Sequence, residues 1–171
     1  MLFRSFNNLR KEQDSIGAKI LIRVEGLMPG IGSPVFSKLD AELAKSMMGV
    51  NAVKAVELGS GTKVVEMKGS ENRDLLKKDG FETNNSGGIL GGISNGDDID
   101  IFVSLKPTSS ISQNTKTIDT KNNEVDLQVK GRHDPCVGLR ATPILEAMAA
   151  MCILDQILLD RGQCSNVDRD L

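Results

Sequence analysis

The chain has 171 residues, enough for one domain burying about 70% of its unfolded surface. Apolar residues make up 39% and charged residues 26%, the balance of a soluble globular protein, and a net charge of −2 gives no electrostatic footing for nucleic acid or an anionic membrane. Five Phe with no Trp or Tyr mean an aliphatic, Met-rich core and no aromatic platform for bases, while Cys136, Cys152 and Cys164 form no CxxC pair and, with His133 the sole histidine, give no zinc site.

Residues 1–6 lack the apolar core of a signal peptide, and residues 1–14 read as a polar, charged lead-in. Reduced cysteines and the missing signal point to the cytoplasm. From Lys19 to Glu25, Ile20, Ile22 and Val24 alternate with Leu21, Arg23 and Glu25, which predicts a half-buried strand. Met28-Pro29-Gly30 is a turn. Ser33-Pro34 then reads as a helix entry, and Phe36, Leu39, Leu43 and Met47 predict an amphipathic helix over 34–48. Val53–Leu58 reads as a second strand, and Lys63–Lys68 as a short strand or a helical turn. Residues 69–83 are polar and without periodicity, a long loop of the kind that serves as a lid or is disordered.

Asn84 to Gly96 holds five of the seventeen glycines within ten positions. Glycine at this density serves a loop with positive φ, or a backbone lying against a ligand or another segment. Ile89, Leu90 and Ile93 between the glycines argue against a solvated linker. Ile99, Ile101, Val103 and Leu105 then alternate with polar positions as a further strand, and Thr115–Asp119 with Val125–Val129 forms a hairpin. Thr142-Pro143 caps a final helix to about Arg161, apolar almost all round and so expected between layers. Its apolar run, Ile144–Leu159, is broken by Glu146, Asp155 and Gln156, as in a buried helix rather than a membrane span.

Two helices and about five strands in adjacent runs predict a single α+β domain over 1–171, an antiparallel sheet packed on helices. Neither GxGxxG nor GK[ST] occurs, which leaves little for a flavin-dependent NAD(P)H reductase. Two polar clusters could carry chemistry. Lys106-Pro107-Thr108-Ser109-Ser110 sets a cation and three hydroxyls at a strand end, suited to a phosphate or simply a polar turn. Arg132-His133-Asp134 is either a salt-bridged corner, or an oxyanion clamp with a carboxylate to handle a proton. Asn51-Ala52 alone reads only as a turn.

Taken together, Ser86–Gly96, Lys106–Ser110 and Gly131–Gly138 closely resemble chorismate synthase. So do Asp14–Gly17, Pro34–Phe36, Lys38–Ala41, Met47–Glu57 and Arg140–Met148, in the family's order and spacing. The resemblance implies one sheet and the helices of a β-α-β sandwich. It also implies a lyase of the shikimate pathway and aromatic amino acid biosynthesis, which eliminates phosphate in 1,4-anti fashion from 5-enolpyruvylshikimate-3-phosphate. Reduced FMN is the implied cofactor, with NADPH as an external source of reduction, and a homotetramer the implied assembly. The family's FMN contacts fall on Asn51, Ala52, Gly91, Lys106, Pro107, Thr108, Ser109, Ser110 and Arg132. Asp134 matches the family's catalytic aspartate, and Arg132 and Asp134 lie toward the substrate. The resemblance covers only the C-terminal half of the family's length, so an inactive flavin-binding module needing a separate N-terminal half is the alternative. Ala18, Ser33, Ser37, Ala55 and Thr62 depart from the family pattern, at positions that touch packing and helix entry more than the flavin contacts.

Overall fold

The computed structural model describes residues 2–164, and strand β7 (Ile99–Leu105) lies at its centre. Ile99, Ile101, Val103 and Leu105 are buried while the residues between them are half-exposed, the period-two pattern of a sheet covered on one face. Strands β1 (Ala18–Val24) and β2 (Val53–Leu58) flank β7, both antiparallel, in the order β1-β7-β2. Ile22 opposes Ile101 and Ile20 opposes Val103, while a bulge between Val53 and Ala55 interrupts the β2 register.

Two helices cover the inner face. Helix α2 (Leu39–Met48) buries Leu39, Leu43 and Met47, and α4 (Gly138–Cys164) buries Ala141, Leu145, Ala149 and Ile153. The two pack side by side, α2 over β2 and α4 over β1. The outer sheet face is polar. Arg23 forks onto Asp100 at 2.6 and 2.8 Å, Lys19 pairs with Glu57, and the Lys19 ammonium lies 5.1 Å from the Phe102 ring centre. The fold is α+β, with its three principal strands lying where the alternation in the sequence places them.

The helix and loop boundaries differ from expectation. The expected lead-in is a helix, α1 (Leu2–Glu12), over its described part; Met1 lies outside the described residues. Leu2, Phe6 and Leu9 recur at helical spacing, and Gln13, at φ +55°, ends the helix. Helix α2 begins at Leu39 rather than Pro34. A hairpin of β5 (Ile89–Leu90) and β6 (Ile93–Ser94) stands where the extra turn would run, and the Gly92 carbonyl accepts from Leu39 N–H at 2.9 Å. Gly92, at φ +90°, lies so close that a Cβ there would sit 2.5 Å from Lys38 Cγ and 2.8 Å from the Ser33 carbonyl. Ser37 turns through φ +57°, and Phe36 is 84% exposed.

Helix α4 begins at Gly138, not at Thr142-Pro143. The Val137 carbonyl accepts from Arg140 and Ala141 N–H, so the helix is running before the proline; its missing N–H affects only the exposed Leu139 carbonyl. The helix also continues through Gly162 to Cys164. One face alone is covered: Met151, Leu154 and Leu158 are more than half exposed.

The polar stretch 69–83 has structure of its own. It contains α3 (Gly69–Asn72) and a small hairpin, β4 (Gly80–Phe81) on β3 (Leu76–Lys77), after a 3-10 helix over Gly61–Glu66. Asp74 fastens it to the glycine stretch, accepting from Ser86 Oγ at 2.6 Å, Thr83 Oγ1 at 2.7 Å, and the N–H groups of Asn85 and Ser86. A further hairpin, β8 (Thr115–Ile118) with β9 (Glu124–Leu127), lies largely exposed.

Gly92→Ala should destabilise the chain by about 1–3 kcal/mol, because the left-handed backbone and the Lys38–Ser33 contact are both strained, and urea unfolding measures it. Burial opposes ionisation of Asp74, but the donors outweigh it and hold the carboxyl at about 2; Lys19 and Thr62 bring Glu57 to about 2 as well. Both folded values lie below the unfolded ones. The stability they confer is therefore complete above pH about 4.5 and is lost as pH falls toward 2. Asp74→Asn should cost about 1–2 kcal/mol at neutral pH, with a flatter acid limb in thermal midpoint against pH.

Candidate cofactor-binding cleft

The end of the sheet where β7 finishes gathers most of the polar residues singled out in the sequence. Asn51 and Ala52 form the tight turn from α2 into β2, with Ala52 at φ +72°. The Ala52 carbonyl accepts from Lys106 N–H at 2.9 Å, tying that turn to the first residue beyond β7. Asn51, Ala52, Leu105, Arg140, Ile144 and Met148 line a cleft of about 450 Å³. Its walls are mostly aliphatic and its rim carries the polar groups, an arrangement suited to a flat apolar ring.

A short strap, Asp14–Gly17, joins the two polar loops. Ser15 Oγ donates to the Thr108 carbonyl at 2.6 Å, and Ile16 N–H donates to the Pro135 carbonyl at 2.8 Å. Gly17 lies against β7, where a Cβ would meet the Leu105 carbonyl at 2.6 Å and Pro107 Cδ at 3.5 Å. The loop after β7 and the 131–135 loop also border one hollow of about 210 Å³, lined by Ile111, Ser112, Gly131 and His133 among others. Lys106–Ser110, Arg132 and Asp134 therefore share one region, although the strap residues that join them carry no chemistry of their own.

Within that region the groups differ in readiness. Lys106, Ser109, Ser110 and Arg132 are exposed, and Arg132 makes no ion pair among the described residues. Thr108 Oγ1 and His133 Nε2 are buried without a hydrogen-bond partner, so donor or acceptor capacity is left over beside the loops. The expected salt-bridged corner exists with a different arginine: Asp134 Oδ2 receives Arg140 Nε at 3.1 Å. The early start of α4 places Arg140 in its first turn, so it borders both the 450 Å³ cleft and a neighbouring cavity of about 390 Å³ shared with Phe6, Arg10 and Asp134. Sequence reading had Arg140 only inside a longer motif, and its signal was the helix start it would have needed.

Gly91 stands apart. It is exposed at the tip of the β5–β6 hairpin, with nothing within 4 Å of the place a Cβ would occupy. Its neighbour Gly92 packs on Lys38 at the N-terminal end of α2, and Gly88 packs on Asp98 at the start of β7. The length of β7, roughly 20 Å, separates that end of the sheet from Lys106. Most of the glycine stretch is thus backbone packed on backbone, and only Gly91 is open to a ligand.

The strap is testable by itself. Ser15→Ala removes its bond to the Thr108 carbonyl and should cost about 1 kcal/mol in urea unfolding, with faster amide exchange at Ile16.

A solved structure described as the crystal structure of chorismate synthase superposes on this chain with a TM-score of 0.75 and 24% identity. The superposition covers 94% of this chain and 43% of that one, so the chain spans less than half of its length. Residues 2–158 match the family model for chorismate synthase, and the chain belongs to the chorismate synthase family.

Proposed function

We propose that this chain forms the flavin-binding part of a chorismate synthase, converting 5-enolpyruvylshikimate-3-phosphate to chorismate and inorganic phosphate. The supporting observation is the convergence of Asn51-Ala52, Lys106–Ser110 and Arg132–Asp134 around a mostly aliphatic cleft, tied together by the 14–17 strap. The residues present fit FMN: the cleft offers apolar walls for the ring, and Lys106, Arg132 and the unpaired Thr108 hydroxyl suit its anionic and polar parts. Bound in reduced form, FMN supplies the electron density that eases departure of phosphate, with no net redox change. NADPH then serves as the external reductant. Gly91 fits only as a contact from a second copy, in keeping with a homo-oligomer.

The elimination breaks the C–O bond to phosphate, which leaves with the electron pair, and the C–H bond at C6, whose proton must be taken up. Asp134 is the group in this chain suited to hold that proton, its carboxylate oriented through Oδ2 by Arg140. Arg132 offers a planar fork for a substrate carboxylate or phosphate. A second reading is an inactive flavin-binding module that needs a separate N-terminal half. The exposed apolar face of α4 and the 43% coverage of the solved chain favour it for the chain by itself. The cytoplasm remains the proposed compartment.

With no Trp or Tyr in the chain, FMN absorbance and fluorescence can be followed cleanly. Titration of oxidised FMN should saturate, with Lys106→Ala and Arg132→Ala each weakening binding about tenfold and Lys45→Ala leaving it unchanged. No saturable signal at high micromolar FMN would rule out a self-sufficient flavin site. The chain alone should produce no chorismate from the phosphorylated substrate and reduced FMN.

A further inference from the structure

The outer face of α4 is a second apolar surface, opposite the one packed on the sheet. On a helical wheel Ala147, Ala150, Met151, Leu154 and Leu158 lie away from the buried Leu145, Ala149 and Gln156. Ile144, Met151, Leu154 and Leu158 are each at least half exposed. A helix apolar on all sides belongs inside a larger core or a membrane, and this one is long and apolar enough to cross a bilayer by length and composition. Its inner face, however, is occupied by the sheet, so what is missing is a layer on one side only.

The superposition indicates what that layer is. The matched part accounts for 43% of the solved chain, so more than half of a related fold lies beyond the portion this chain reproduces. We infer that the outer face of α4 docks the complementary part of the chorismate synthase fold, and that this docking also roofs the flavin cleft. The second clause follows from shared residues. Ile144 and Met148 line the 450 Å³ cleft, and Ile144 continues into the exposed stripe with Met151 and Leu158. A layer seated on the stripe removes water from the cleft wall, so its binding and flavin binding strengthen each other reciprocally. The docking rests on the fold and family; the coupling rests on the flavin reading above.

The test co-expresses the full chain with the portion of the solved chorismate synthase lying outside the matched region, supplied as a separate polypeptide. A one-to-one complex is expected by sedimentation, abolished by Met151→Glu with Leu154→Glu. Both side chains are exposed, so the double variant alone should keep the wild-type circular dichroism. Three results would overturn the docking: no complex, a complex indifferent to the two substitutions, or prior occupation of this face by a second copy or by neutral phosphatidylcholine vesicles. FMN should bind at least tenfold more tightly to the complex than to the chain alone, and equal affinities would refute the coupling. A complex that forms yet binds no FMN would refute the flavin reading while upholding the docking.

Discussion

Everything in this molecule is positioned by β7. Its four inward side chains are buried, and both of its edges are paired, so it can neither slip in register nor rotate without exposing the centre of the core. Its first residue marks the end where the glycine stretch and its polar fastening gather. Its last marks the end where the cleft opens. Because the strand is rigid, the two ends behave as separate regions, and residues that lie close in the list of expected flavin contacts are divided between them.

The sheet was legible because its signal is local and binary. Alternation over seven residues at β1 and β7 leaves one choice of buried face, and the structure adopts it. Helix limits were less legible, since they depend on what lies next to them in space. Nothing near Ser33-Pro34 announces that Gly92, almost sixty residues on, will occupy the path of the first turn. Nor does Pro143 reveal that the helix has already started on the Val137 carbonyl. Among site residues, the charged and hydroxyl clusters stood out by type. Ser15, Ile16 and Gly17 did not, because they act through one hydroxyl, one N–H and the absence of a side chain.

The polar pairs on the outer sheet face and the aliphatic stripe on α4 divide the surface into a finished side and an unfinished one. Arg23–Asp100 and Lys19–Glu57 satisfy one another in water, so that face asks for no cover. The helix side carries the opposite message, in residues such as Leu154 and Leu158. The cleft lies at the border between the two sides, where completing the core would also complete the pocket.

The bulge in β2 has a bearing on how the protein behaves at high concentration. A three-stranded sheet leaves β1 and β2 each with an unpaired edge among the described residues, a template for strand-by-strand stacking of chains. The irregular register between Val53 and Ala55, beside the exposed Lys54, spoils β2 as such a template. On β1, Lys19 and Arg23 hold charge along the other margin. Fibrillar growth through the sheet plane is thereby discouraged.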